Sequence, residues 1–194
     1  MSYRTNRLDE HVIELLRKGG VGFMPSDTIY GLSCQALNEQ AVERIYGLKK
    51  RDSDKPLIVL IATILQLRQL DIDTKQAEIM KGHWPGPISL ECDVSKAPPW
   101  LNRGKEHEAF RMPDDEILRK LIMEVGPIVS TSANTQGGKP ANSVAEAMSY
   151  FGEQLDFYVD GGDLSSRQPS TLVRAVGGKL EVIRQGTVKL KEDL

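Results

Sequence analysis

The apolar run Leu57-Ile58-Val59-Leu60-Ile61 constrains the fold more than any other stretch of this chain. Five consecutive apolar residues leave a strand without a polar face, so this strand belongs in the centre of its sheet. Helical patterns and other short apolar runs alternate before and after it. The sequence therefore predicts one α/β domain with a mixed sheet over residues 1–194, a length usual for a single domain.

Caps and periodicity set the expected element boundaries. Helices are predicted from Leu8 to a glycine end at Lys18-Gly19-Gly20, from Asn38 to Leu48, from Thr74 to Lys81, from Asp114 with Ile117, Leu118, Leu121 and Ile122 on one face, and from Ser143, in a capping box with Glu146, to about Phe151. Strands are predicted at 21–24, 57–61, 88–92, 127–129, 157–159, 171–173 and 180–183, with an irregular loop at 97–104.

Two polar segments stand beside predicted strands near the first third of the chain. Pro25-Ser26-Asp27-Thr28-Ile29-Tyr30-Gly31-Leu32 follows the strand at 21–24, and small hydroxyls, a carboxylate and a Tyr-Gly turn at a strand end suit a ligand site. Lys49, Arg51 and Lys55 then place three cations within seven positions, a pattern that suits phosphate oxygens. The alternative is that the first of these cations only complement a helix end in solvent.

A third polar segment follows the predicted strand at 127–129. Ser130-Thr131-Ser132-Ala133-Asn134 carries four side chains that form hydrogen bonds. Phosphoryl and nucleotidyl transfer depend on cations and oriented donors rather than on an enzyme nucleophile, so this segment and the cationic one together suit such chemistry if they face one cleft. The alternative for 130–134 is a well-bonded turn with no ligand.

Other classes of site find little support in the sequence. Neither common glycine-rich phosphate loop occurs, nor a zinc or EF-hand pattern, and His11, His83 and His107 lack carboxylate or histidine neighbours at ligand spacing. Cys34 and Cys92 are too far apart for a metal motif and suit buried free thiols in a reducing cytosol. With a net charge of −2, no signal-peptide pattern and no membrane-length apolar stretch, the sequence predicts a soluble cytoplasmic protein without membrane contact.

Seven motifs in order carry a resemblance to a known family. They are Pro25 to Leu32, Lys49-Lys50-Arg51 with Lys55-Pro56-Leu57, Trp84-Pro85-Gly86-Pro87, Arg111-Met112-Pro113, Ser130 to Asn134, Pro169-Ser170-Thr171-Leu172-Val173 and Ile183-Arg184-Gln185-Gly186. In this order they resemble the YrdC-like family over about residues 8–188, and the K-x-R and S-x-N elements resemble its TsaC type, the threonylcarbamoyl-AMP synthases. The resemblance implies a single-domain YrdC-like fold: a twisted mixed β-sheet flanked by helices, with a central cleft.

The resemblance also implies a nucleotidyltransferase reaction. L-Threonine, bicarbonate or CO2, and ATP would give threonylcarbamoyl-adenylate and pyrophosphate, and partner transferase proteins would pass the threonylcarbamoyl group to tRNA, which the enzyme itself can contact. Lys49 and Arg51 would be catalytic. ATP phosphates would be bound by Lys49, Arg51, Lys55, Ser130, Ser132, Asn134 and Arg184, and threonine or adenylate by Thr28, Tyr30 and Arg111. Mg2+ would arrive with ATP, without a dedicated metal site in the protein.

Some positions depart from the family pattern, and two rival functions remain. Ser26, Ser33 and Ser89 replace other small residues, whereas Arg174 stands where an acidic residue is common, so no role is carried to Arg174. The first rival is a module that binds double-stranded RNA or tRNA through the same basic loop without catalysis. The second is a YciO-like paralogue, against which the presence of Lys49, Arg51 and Asn134 argues.

Overall fold

The computed structural model describes residues 1–50, 52 and 57–190. The strands are β1 (Tyr3–Thr5), β2 (Gly22–Met24), β3 (Gly31–Gln35), β4 (Ile58–Leu60), β5 (Ile88–Asp93), β6 (His107–Arg111), β7 (Ile128–Ser132), β8 (Phe157–Val159), β9 (Thr171–Val176) and β10 (Lys179–Arg184). The α-helices are α1 (Glu10–Arg17), α2 (Glu39–Lys49), α3 (Pro99–Asn102), α4 (Glu116–Val125) and α5 (Val144–Phe151), and 3-10 helices span Ile64–Leu70, Thr74–Met80 and Gly152–Gln154.

All ten strands form one sheet in the order β1-β8-β2-β3-β7-β4-β6-β5-β9-β10. Pairing is mixed: β4 lies parallel to β6 and antiparallel to β7, and β9 lies parallel to β5 and antiparallel to β10. The apolar run at 57–61 forms β4, which has four strands on one side and five on the other. The prediction of a central strand in a mixed α/β sheet is therefore confirmed.

Helices cover the sheet on both faces, but they cover one face only in part. Helices α1 and α4 pack over one face, where Leu16 and Ile122 meet Ile128 of β7 and Leu60 of β4. The other face carries the larger core, which includes residues of α2, α3, α5 and two of the 3-10 helices. Further along the first face the strands present small polar residues instead of apolar ones, and a cleft opens there.

Two of the predicted helix starts are confirmed by their hydrogen bonds. The Asn38 side chain accepts from the backbone N–H of Ala41 at 3.0 Å, and Ser143 Oγ accepts from Glu146 N at 3.3 Å. The Glu146 carboxylate does not return to Ser143, however, but accepts from Asn142 N at 2.8 Å. The Glu146 carboxylate therefore bonds the residue before the cap, Asn142, instead of the cap residue Ser143.

Three predicted details of the helices were wrong. The segment from Thr74 is a 3-10 helix ending at Met80, and its cap is Asp73, whose carboxylate accepts from Lys75 N. Helix α4 is capped by Asp115, and Ile117 is 63% exposed because the buried face consists of Leu118, Leu121, Ile122 and Val125. The loop predicted at 97–104 contains the short helix α3.

The strand predictions missed three strands, β1, β3 and β6, and shortened β7 and β9. Strand β1 pairs in parallel with β8, about 150 residues away in sequence, and β3 begins at Gly31, where a turn was expected. Strand β7 runs through Ser130 and Ser132, which were expected to follow the strand rather than to belong to it. In the part of the chain that the structure describes, no helix has the length and apolar character needed to cross a membrane.

Candidate active site

The cleft, with a volume of about 400 Å³, brings together residues that lie far apart in sequence. Six of the predicted site residues line it: Thr28, Tyr30, Arg111, Ser130, Ser132 and Arg184. Lys49 and Asn134 lie directly behind Ser132, as described below. Arg51 and Lys55 fall outside the described residues. The loop before β3, the outer ends of β6 and β7, and the last strand β10 therefore meet at one cavity.

The alternation of β7 explains why hydroxyl groups lie in the cleft. Ile128, Ser130 and Ser132 share one face of the strand, since successive side chains point to opposite faces. Ile128 lies under the helices, whereas the two serines lie beyond them in the open part of the same face. Opposite Ser132 in the register is Gly31, where a Cβ atom would come 2.6 Å from Ser130 Oγ. Glycine thus keeps room for the serine hydroxyl.

Lys49, the last residue of α2, is only 2% exposed. Its ammonium donates to the backbone oxygens of Ser132 and Asn134, the latter at 2.9 Å, and to Asn134 Oδ1 at 3.2 Å. Lys49 therefore does not lie in solvent as the helix-end alternative required, whereas its neighbour Lys50 is exposed. The cationic and the hydroxyl-amide segments meet at this ammonium, which places a positive charge behind Ser132.

The Ser132–Asn134 turn is itself strongly hydrogen-bonded. Ser132 Oγ donates to Asn134 Oδ1 at 2.6 Å, and Asn134 Nδ2 donates to the backbone oxygens of Thr135 and Gly138, both at 2.9 Å. The turn alternative is thus correct in its geometry, and the same geometry fixes Ser132 on the cleft wall. In this arrangement the Asn134 amide orients the turn rather than pointing its nitrogen into the cavity.

Arg111, at the end of β6, forms the cationic floor of the cleft and has a side chain only 4% exposed. Its Nη2 lies 3.1 Å from Asp27 Oδ1 and 3.2 Å from Thr28 Oγ1. Burial lowers the pKa of Arg111 from its ordinary value, and the Asp27 carboxylate opposes that change. Among the described residues, Arg111 Nε is buried and has no hydrogen-bond partner.

Tyr30 and Arg184 line the cleft, and each is held there by hydrogen bonds to neighbouring loops. The Tyr30 hydroxyl donates to Gly162 O and accepts from Gly161 N, both at 2.7 Å, and its ring stacks on Phe23 with centroids 4.3 Å apart. Burial raises the pKa of Tyr30, which keeps the hydroxyl neutral. Arg184 donates to Ser170 O at 3.0 Å. Both of these hydrogen bonds of the Tyr30 hydroxyl are with the 161–162 loop.

Sequence reasoning missed several residues of the cleft. Asp27 was noted in its motif but not as the partner of Arg111, and Glu91 and His107 on the neighbouring strands also line the cavity. Arg174, to which no role was carried, donates from Nε to Glu91 Oε2 at 2.8 Å. The alternation of β5 and β6 could have indicated Glu91, since it lies opposite Ala109 on the face that carries Arg111.

Comparison with known proteins identifies the family of this chain. A family model described as telomere recombination, covering Sua5, YciO and YrdC proteins, matches residues 14–186. A threonylcarbamoyl-AMP synthase of Marinobacter nauticus is 38% identical over 167 residues, which are 83% of this chain and 87% of that protein. The fold and cleft define an α/β protein with a cleft lined by hydroxyl groups and buried arginine, and the chain belongs to the Sua5/YciO/YrdC family.

Two solved structures have the same fold. Pyrococcus abyssi Sua5 complexed with L-threonine superposes with a TM-score of 0.83 at 31% identity, covering 96% of this chain and 57% of that one. This chain therefore spans a little more than half of that Sua5 chain. Escherichia coli YciO superposes with a TM-score of 0.81 over 98% of both chains, but at 23% identity this likeness concerns the fold alone. The predicted family and fold class are confirmed.

Proposed function

We propose that this chain is a threonylcarbamoyl-AMP synthase, a transferase that converts L-threonine, bicarbonate and ATP into threonylcarbamoyl-AMP, pyrophosphate and water. The observation that carries the proposal is one cleft that joins the buried Arg111 guanidinium to the hydroxyls of Ser130 and Ser132, with the Lys49 ammonium behind them. The name of the Marinobacter relative and the threonine complex of the Pyrococcus protein support the same reaction.

Arg111 suits the carboxylate of threonine. A guanidinium forms paired hydrogen bonds with a carboxylate, and Arg111 lines the cleft with its Nη2 held by Asp27 and Thr28. The buried setting strengthens such an ion pair because little water competes for it. Asp27 keeps the guanidinium charged and fixes its plane before the substrate arrives.

The other end of the cleft suits the phosphates. The threonine amine captures CO2 as a carbamate, whose oxygen attacks the α-phosphorus of ATP while the bond to pyrophosphate breaks. The protein needs no nucleophile for this step; it must align the reactants and stabilise the charge that develops on phosphate oxygens. The Ser130 hydroxyl supplies a neutral donor. The Ser132 hydroxyl, which donates to Asn134 Oδ1, orients the Ser132–Asn134 turn, and Lys49 supplies positive charge to that turn. Arg51 and Lys55 belong to this proposal on sequence alone.

Mg2+ enters this proposal as the companion of ATP. At the end of the cleft assigned to the phosphates, the side-chain oxygens of Ser130, Ser132 and Asn134 are neutral, which suits a hydrated ion bound mainly by triphosphate oxygens. Within residues 1–50, 52 and 57–190 there is no cluster of three or more His, Cys, Asp or Glu residues able to hold a metal. The ion would neutralise part of the triphosphate charge.

The reaction product would be consumed by transferase proteins that modify tRNA, and the cytoplasm is the compartment in which ATP and tRNA are both present. A module that only binds RNA would use the same cationic segment without consuming ATP. The two functions differ in a measurable product, so the choice between them does not depend on affinity for tRNA.

Pyrophosphate release tests the proposal directly. Purified protein is incubated with ATP and Mg2+, with and without L-threonine and bicarbonate, and pyrophosphate and the adenylate are quantified. We expect release that requires both co-substrates and is lost in Arg111→Ala, whereas Arg7→Ala, at an exposed position outside the cleft, retains it. Release that ignores threonine and bicarbonate, or no release from folded protein, would overturn the proposal.

A further inference from the structure

Gln136 connects the cationic segment to the hydroxyl-amide segment, and none of the motifs includes it. Its side chain is exposed, yet it forms two hydrogen bonds to one residue: Asp52 N donates to Gln136 Oε1 at 3.1 Å, and Gln136 Nε2 donates to Asp52 Oδ2 at 3.2 Å. Its backbone N–H donates to Lys49 O at 2.8 Å. Three hydrogen bonds thus join Gln136 to the chain on either side of Lys50 and Arg51.

The loop that carries Gln136 is held in place from its other side. Asn134 Nδ2 donates to Gly138 O at 2.9 Å, Gly138 N donates to Thr135 O at 3.0 Å, and the Tyr150 hydroxyl of α5 donates to Lys139 O at 3.0 Å. The backbone around Gln136 is therefore fixed to the Ser132–Asn134 turn and to a helix. A side chain on such a loop can position the more distant segment that it contacts.

We propose that Gln136 is a positioning residue for ATP binding: its amide holds Asp52, which directly follows Arg51 in the sequence, beside the Ser132–Asn134 turn. This inference rests on the proposed function, because it assigns the joined segments to the phosphates of ATP. Without the side-chain bonds Asp52 samples other arrangements, and the apparent affinity for ATP falls in proportion to the fraction of molecules that retains the binding arrangement. Two hydrogen bonds, one of them to a carboxylate, correspond to a loss of about tenfold.

The geometry of the Gln136–Asp52 pair predicts that a second substitution restores the ATP affinity that the first one lowers. A residue with only a general structural role would not show this recovery. Q136E places two carboxylates together and should weaken ATP binding at least as much as Q136A does. In D52N/Q136E the amide and the carboxylate exchange places: the amide now donates from position 52, and the carboxylate still accepts from the backbone N–H of that residue. ATP affinity should therefore return to within about twofold of the unaltered protein.

The chain offers a matched control in Gln76, which bonds the backbone of another aspartate. Asp93 N donates to Gln76 Oε1 at 2.6 Å, and Gln76 Nε2 donates to Asp93 O at 3.2 Å. This pair joins a 3-10 helix to β5 and does not contact the Lys49 region. Q76A removes the same kind of contact, so it should leave ATP affinity unchanged.

The experiment measures ATP affinity by calorimetry, threonine affinity separately, and exchange of the Asp52 backbone N–H by NMR for the full chain and these variants. We expect Q136A to weaken ATP about tenfold, to leave threonine affinity unchanged and to accelerate exchange at residue 52, with recovery in D52N/Q136E. Unchanged ATP affinity in Q136A, or no recovery in the double variant, would overturn the inference and leave the proposed function intact. If the unaltered protein binds no ATP, the proposed function and this role in ATP binding both fail, while the exchange data still test the contact itself.

Discussion

Replacing Lys49 with methionine tests the buried ammonium at the meeting point of the two polar segments. Methionine keeps most of the side-chain volume but removes the donor to Ser132 O, Asn134 O and Asn134 Oδ1. Two of these acceptors keep another donor, since Asn134 N reaches Ser132 O at 3.0 Å and Ser132 Oγ reaches Asn134 Oδ1 at 2.6 Å. The variant also avoids burying a charge, which offsets part of the loss.

The loss of stability in Lys49→Met should be smaller than the summed loss for three acceptors left unpaired. We expect Lys49→Met to lower the free energy of unfolding by about 1–3 kcal/mol, the cost of the one buried acceptor, Asn134 O, that keeps no other donor among the described residues. At about 2 kcal/mol, the middle of that range, the fall in Tm for a chain of this length is roughly 4–8 °C. Synthase activity should fall by at least about a hundredfold, because the Ser132–Asn134 turn loses both its position and its charge.

Urea unfolding and pyrophosphate release measure the two effects separately. The matched control is Lys50→Met, which removes the same charge one residue later, at an exposed position with φ of 49°. The control should change the free energy of unfolding by less than about 0.5 kcal/mol. A similarly small change in Lys49→Met would refute the argument that its ammonium holds the turn.

Three further substitutions test other parts of the cleft and the fold. Arg111→Lys should raise the KM for L-threonine at least about tenfold. A planar guanidinium can bond Thr28 and the threonine carboxylate at the same time, whereas the compact ammonium of lysine cannot form the paired hydrogen bonds to the carboxylate. An unchanged KM in steady-state kinetics would contradict this role. Gly31→Ala should lower the free energy of unfolding by about 1–3 kcal/mol, since its Cβ would lie 2.6 Å from Ser130 Oγ; urea unfolding measures this, and a negligible loss would mean that the hydroxyl turns aside. Burial raises the pKa of Asp9, but hydrogen bonds from two hydroxyls and the α1 backbone outweigh it and hold the pKa below 3.8. Asp9 therefore stabilises the fold above that pH, and this contribution is lost as pH falls through the folded-state pKa. Asp9→Asn should make stability less sensitive to acid, which unfolding midpoints measured from about pH 5 to pH 2 would show.

Local signals predicted the parts of the fold that depend on local interactions. The Asn38 cap and the Ser143 cap were read correctly because each cap bonds a backbone N–H within three residues. The central strand β4 was predicted because an apolar run has no other stable location. The sequence order of the polar motifs also identified the family, and six of the proposed site residues lie on one cleft.

The missed features depend on contacts between distant residues. Strand β1 has only three residues, too few for an alternating pattern to be recognised, and its strand geometry depends on pairing with β8. Ser130 and Ser132 look like loop residues, but pairing with β3 keeps them in a strand. Likewise, no local pattern relates Asp27 to Arg111, which is 84 positions later in the chain, or Gln136 to Asp52, which is 84 positions earlier.

The alternation of β7 links ligand binding to correct strand pairing. A shift of one residue in its register would bring Val129 into the cleft and Ser130 toward the larger core, so the hydroxyl pair would be lost together with apolar packing. A misregistered chain could keep much of its secondary structure and still bind no nucleotide. Under the proposed function, nucleotide binding therefore reports correctly paired strands, and it would distinguish refolded protein from a compact but mispaired species.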